Sequence, residues 1–94
     1  MKIAQSEDYQ GGDWWKWSVW LEAPDEDLDV VEKVVWRLHP TFPDPIQENT
    51  DRTSKFRIDT AGWGTFLVQA VVHKKDGKMI KLKHELELYY PEEE

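Results

Sequence analysis

Residue types that bind metals or act as nucleophiles are sparse in this sequence and stand apart from one another. The three histidines, His39, His73 and His84, lack the short spacing that places two ligands on one helical turn. None of the serines stands in a Gly-x-Ser-x-Gly motif, the strained turn that exposes a nucleophile. Cysteine is absent, which excludes disulfides and thiolate catalysis. We therefore expect no metal site, no cofactor and no enzymatic activity.

Carboxylates are numerous, but their positions do not predict an acid–base pair. Asp25, Glu26 and Asp27 form a charge run in a predicted turn, and Glu85 and Glu87 alternate with leucines on a predicted strand. Carboxylates at such positions usually only solvate a surface. The acidic run would nevertheless add attraction for a lysine-rich partner.

Two loops combine aromatic, small and polar side chains, and we expect function to lie there. The first contains His39, Thr41 and Phe42 and holds three prolines between residues 39 and 45, which prevent a central strand. The second carries Trp63 between two glycines. On composition alone two interpretations stay open: the aromatic rings either plug the end of a core or line a binding site.

These loops connect segments with the patterns of β-strands. Trp15, Trp17, Val19 and Leu21 share one side of an extended segment, as in a half-buried strand. Alternating or valine-rich patterns predict further strands, although a short helix over 29–35 is a weaker alternative for the second. The predicted strands cover residues 15–22, 28–38, 55–61, 66–73 and 79–89.

Turn residues separate the predicted strands and define the fold class. Asp76 and Gly77 supply the positive φ angles that a tight hairpin needs between the last two strands. Short strands without a helical period predict an all-β, antiparallel β-sandwich. We expect a flexible, irregular segment over 1–12, one domain over 13–90 and an acidic tail over 91–94.

The charge balance limits the possible partners. The 94 residues include 19 acidic and 12 basic residues, a net charge of −7, which repels phosphate backbones. Acidity is also a common device for solubility. No apolar run reaches the roughly 20 residues of a membrane span, and the first residues lack the apolar core of a secretory signal. We expect a cytoplasmic monomer that binds neither nucleic acid nor membrane.

Four groups of residues, taken in order, resemble the YEATS family. They are Trp17-x-Val19, the segment from Val34 to Pro45 that includes Leu38-His39-x-Thr41-Phe42-Pro43-x-Pro45, Gly62-Trp63-Gly64-x-Phe66, and His84-x-Leu86-x-Leu88. The resemblance runs from about residue 15 to residue 88. It implies an immunoglobulin-like sandwich whose loop tips bind acylated lysine, notably acetyl-lysine and crotonyl-lysine, on histone tails in eukaryotic members.

The resemblance also assigns roles to the two loops. Phe42 and Trp63 would be the aromatic walls that hold the flat acyl-amide. Thr41 stands where the family commonly has serine, whose hydroxyl bonds the amide, and the backbone N–H of Trp63 would donate to the acyl carbonyl. His39 matches a histidine that lines and supports the pocket.

The same resemblance assigns lesser roles to three further residues. Gly62 and Gly64 would let the chain turn and approach the ligand closely. In the family, an earlier loop near the start of the domain adds an aromatic residue to the pocket, and Trp14 or Trp15 matches that residue loosely.

The short length is similar to that of prokaryotic YEATS-like domains, which occur beside signalling or effector modules such as TIR domains. The alternative function is therefore a ligand-sensing or protein-interaction domain of a bacterial signalling protein, with no binding of acyl-lysine. A eukaryotic origin would instead predict a nuclear location. An open gap between the two loop aromatics favours the reader function, and a closed gap favours the alternative.

Overall fold

The computed structural model describes residues 1–88 and consists of two antiparallel sheets. One sheet has the strand order β1-β2-β5 and the other β4-β3-β6-β7. The elements are β1 (Lys2–Gly11), β2 (Trp14–Glu22), α1 (Asp25–Leu28), β3 (Val31–Arg37), β4 (Ile46–Asn49), β5 (Ile58–Gly62), β6 (Leu67–Lys74) and β7 (Met79–Glu85).

The core between the sheets is built from the inward side of each alternating strand. Trp17 and Val19 of β2 face Val34 and Trp36 of β3, and all four are almost completely buried. The indole Nε1 of Trp36 donates a 2.8 Å hydrogen bond to the carbonyl of Phe56, which satisfies a buried polar group. The predicted β-sandwich is confirmed.

Residues 1–12 were predicted to be irregular, and that prediction is wrong. Most of this segment forms β1, which pairs with β2 from Lys2–Glu22 to Gly11–Trp14. Of its side chains only Ile3 is buried. At the sandwich margin, Nε2 of Gln5 donates to the carbonyl of Glu87, and its Oε1 is hydrogen-bonded to Nε2 of His84. An edge strand held by backbone pairing needs few apolar residues, so its sequence carries little strand signal.

Other boundaries also differ from the prediction. The predicted strand over 55–61 begins only at Ile58, because Lys55 and Phe56 lie in a turn with φ +58° and +59°. The predicted strand over 28–38 begins at Val31, after the short helix α1, and the alternative helix over 29–35 does not form. Strand β4 was not predicted because it is a polar edge strand. The last strand was predicted over 79–89 but β7 ends at Glu85, and the predicted tail over 91–94 lies outside the described residues.

The predicted hairpin is confirmed, but only one of its two predicted positive φ angles is present. Gly77 has φ +89° and donates to the carbonyl of Lys74, closing the hairpin between β6 and β7. Asp76 does not have a positive φ, and its carboxylate instead accepts a hydrogen bond from the backbone N–H of Lys78. His84 lies at the core margin, where its Nε2 is 2.6 Å from Oε1 of Gln5. This contact joins the edge strands β7 and β1 and closes one side of the sandwich.

The topology brings the two aromatic loops to one end of the sandwich. Strand β5 ends at Gly62, opposite Trp15 at the start of β2, and the first loop leaves β3 after Arg37. The acidic run in α1 follows the other end of β2, about 25 Å away at 3.3 Å per residue. Arg52 forms ion pairs there with Asp25 and with Asp29. Because the run lies more than two Debye lengths from the loops at physiological salt, it adds little attraction for a ligand at the loops.

Candidate functional site

An open pocket of about 390 Å³ lies at the loop end of the sandwich. Its lining includes seven residues that were predicted from the sequence, namely Trp14, His39, Thr41, Phe42, Gly62, Trp63 and Gly64. Trp15, the alternative to Trp14, is buried in the core and does not line the pocket. Pro43, Ala61, Thr65 and Phe66 also line it and were not selected. Phe66 stands two residues after Gly64 in the quoted motif, which was the one signal available for it.

The two candidate aromatic walls differ in how they are held. Phe42 is partly buried, with its ring centroid 5.4 Å from that of Phe66 and 6.1 Å from that of Trp17. Trp63 is 73% exposed. Phe42 is therefore fixed to the core, whereas Trp63 stands at the surface and does not plug the sandwich.

Hydrogen bonds within the first loop orient its polar groups. The backbone N–H of Thr41 points at Nδ1 of His39 at 3.3 Å, and Oγ1 of Thr41 lies 2.9 Å from the same nitrogen. Because a backbone N–H can only donate, Nδ1 acts as the acceptor, and the Thr41 hydroxyl then donates to it as well. The lone pairs of that hydroxyl are left to accept a hydrogen bond from a ligand N–H.

Gly62 forms a tight part of the pocket wall. A Cβ atom placed there would lie 3.6 Å from Cζ of Phe42 and 3.8 Å from Nε1 of Trp17, which is ordinary van der Waals contact. Alanine would therefore fit, but a branched side chain would enter the space beside the Phe42 ring. At Gly64, by contrast, an added Cβ would meet nothing within 4 Å.

The lining carries no aspartate, glutamate, lysine or arginine. A lysine ammonium placed there would lose hydration without gaining a counter-charge. Between residues 1 and 88 there is also no group of three side chains arranged to hold a metal ion. Within the same range no helix is long and apolar enough to cross a membrane. The uncharged, aromatic lining of the pocket therefore suits a neutral, planar and partly apolar group.

The sandwich with an uncharged aromatic pocket at its loop tips defines a recognition module with an immunoglobulin-like fold. Residues 15–87 match the family model described as the prokaryotic YEATS domain. The chain belongs to the YEATS family, whose domains are non-catalytic binding modules. The resemblance seen in the sequence is thus confirmed.

Curated relatives include eukaryotic proteins. The AF-9 homolog of Eremothecium gossypii is 33% identical in an 84-residue alignment that covers 83% of this chain and 39% of that protein. Transcription initiation factor TFIID subunit 14b of Arabidopsis thaliana is 36% identical in an 84-residue alignment that covers 84% of this chain and 30% of that protein. The chain thus spans about a third of the length of these relatives.

Solved structures show the same fold. The Yaf9 YEATS domain bound to H3K27ac has a TM-score of 0.73 at 22% identity, covering 95% of this chain and 70% of that one. The Yaf9 YEATS domain recognising an H3K122suc peptide has a TM-score of 0.72 at 21% identity, covering 93% and 69%. At this identity the likeness establishes the architecture.

Proposed function

We propose that the pocket binds the acylated side chain of a lysine in a partner protein. The observation that carries the proposal is an uncharged pocket between the fixed ring of Phe42 and the surface ring of Trp63. An acyl-amide is neutral and planar, so aromatic faces can stack on it. The related Yaf9 YEATS domain has been solved bound to H3K27ac and recognising an H3K122suc peptide, which supports this choice.

Hydrogen bonds would complete the recognition of the amide. The Thr41 hydroxyl, which donates to His39, is free to accept from the amide N–H, and the backbone N–H of Trp63 is the candidate donor to the acyl carbonyl. An unmodified lysine would bring a charge into an uncharged site at a cost of several kcal/mol. Acylation itself therefore decides whether the side chain enters.

A titration with one lysine-rich peptide in acetylated, crotonylated and unmodified forms tests the proposal. We expect saturable binding of the acylated forms with Kd in the range of roughly micromolar to millimolar, because a single side chain in an open pocket gives limited contact. Binding of the unmodified form with equal affinity, or no binding of any form up to millimolar concentration, would contradict it.

A further inference from the structure

A second groove, of about 510 Å³, lies on the outer surface of the four-stranded sheet beside the pocket. His39 lines both cavities, so the groove begins at the pocket wall. Its apolar part includes Ile46, which is 57% exposed, and Leu67, which is 43% exposed. A ligand that reaches out of the pocket over His39 would meet these two side chains.

Strand register places a row of side chains across this surface. Arg37 lies opposite both Ile46 and Gln69, and Gln69 lies opposite Lys83. Directly paired residues point to the same side of a sheet, and the neighbouring Trp36 points into the core. The row Ile46–Arg37–Gln69–Lys83 therefore faces outward, and two strand spacings place the Cα atoms of Arg37 and Lys83 about 10 Å apart.

The charges on this surface are not balanced locally. Lys33, on the same side of the sheet, is paired with Glu48 at 2.7 Å. Within the part of the chain that the structure describes, Arg37 and Lys83 form no ion pair. Glu85 lies opposite Leu67 at the edge strand, one side-chain position beyond Lys83. A ligand carboxylate would thus be attracted to Arg37 and Lys83 and kept away from Glu85.

We propose that this groove binds the peptide segment next to the acylated lysine, and that it selects an apolar residue followed or preceded by an acidic one. The inference rests on the proposed function and names the sequence context of its ligand. The apolar side chain would lie against Ile46 and Leu67, with the carboxylate at Arg37 and Lys83. An extended peptide advances about 3.3 Å per residue, so the pair is expected within about five residues of the acyl-lysine.

A peptide scan tests the groove. A labelled peptide with acetyl-lysine in a Gly/Ser context is compared with peptides that carry Leu-Asp or Asp-Leu at each position up to five residues on either side. We expect one placement to bind about 5- to 10-fold more tightly, the size expected from one partly buried apolar side chain and one exposed ion pair.

Variants assign the gain to the groove. R37E and I46S should each reduce the gain to less than about twofold while leaving binding of the Gly/Ser peptide unchanged. K75E is the matched control, because it makes the same charge change at the exposed hairpin turn, about 25 Å from Leu67 along β6. In K75E the gain in affinity from the best Leu-Asp or Asp-Leu placement should equal that of the wild type. If R37E does not fold, R37S takes its place in the comparison.

The outcomes separate this inference from the function on which it rests. If the Gly/Ser peptide binds and F42A abolishes that binding, but no placement of Leu-Asp or Asp-Leu adds affinity, the pocket assignment stands and the groove assignment is wrong. A gain that survives R37E and I46S also overturns the groove assignment. If no acetylated peptide binds at all, the proposed function and this inference fail together.

Discussion

Separate tests of binding and stability distinguish the roles of Phe42 and Trp63. If the two rings are the walls of the pocket, replacing either by alanine removes one stacking surface from the ligand. We expect each substitution to weaken binding of an acetylated peptide at least about 10-fold, or about 1.4 kcal/mol. Their effects on folding should differ, because only Phe42 packs on the core.

The exposure of each ring sets the expected loss of stability. Trp63 is 73% exposed, so only about a quarter of its roughly 250 Å² is buried, and at about 25 cal/mol per Å² this contributes at most about 1.5 kcal/mol. Phe42 packs on Trp17 and Phe66, and its removal should cost about 3 kcal/mol. For a domain of this size 1 kcal/mol shifts Tm by about 4–8 °C. We therefore expect W63A to lower Tm by less than about 12 °C and by no more than about half as much as F42A, which should lower it by about 12–24 °C.

Thermal unfolding followed by circular dichroism and peptide binding followed by fluorescence anisotropy measure the two effects. M79A is the control, since Met79 is 61% exposed at the hairpin, far from the pocket, and should change neither quantity. A fall in Tm for W63A as large as that for F42A would show that Trp63 plugs the core. Wild-type affinity in either variant would refute its role as a wall.

Three further predictions concern single side chains. T41S should bind an acetylated peptide like the wild type, whereas T41V should bind it about 10-fold more weakly by calorimetry, because valine cannot pair with the amide N–H. G62V should lose most binding while G62A retains it, since only the branched side chain reaches into the pocket. Hydrogen bonds from Ser18 and then Arg57 lower the pKa of Asp59, so its folded-state pKa lies below its unfolded value. The ionised Asp59 therefore adds to the free energy of unfolding above about pH 4, and this contribution is lost as pH falls through the folded-state pKa. In urea unfolding the wild type should be more stable than D59N at pH 6, and the difference should shrink toward pH 2.

Strands that bury an apolar face could be predicted from the sequence. The alternation of Trp15, Trp17, Val19 and Leu21 predicts β2 because alternate side chains enter the core. The hairpin at Gly77 is predicted by its turn residues. Strand β4 could not be predicted, because this polar edge strand depends on backbone pairing with β3 across a loop. Strand β1 was missed although a signal was available, because Gly12 and Asp13 both have positive φ and form the two-residue turn of a hairpin with β2.

The residues of the pocket could be selected from the sequence, but its physical character could not. The family resemblance selects Phe42 and Trp63 without showing that one is fixed to the core and the other stands at the surface. The contact of Phe42 with Trp17 depends on the packing of β2 and the first loop, which no local pattern reports. The groove beside His39 likewise depends on strand register across β4, β3 and β6.

The most direct test of the pocket is a ¹H–¹⁵N correlation spectrum of the labelled domain, recorded with an acetylated lysine peptide and with its unmodified form. The proposed function predicts that only the acetylated peptide shifts the backbone amides of His39, Thr41, Phe42 and residues 61–66 and the indole N–H of Trp63. Equal shifts with the unmodified peptide, or shifts confined to other parts of the sandwich, would contradict the assignment of this pocket to acylated lysine.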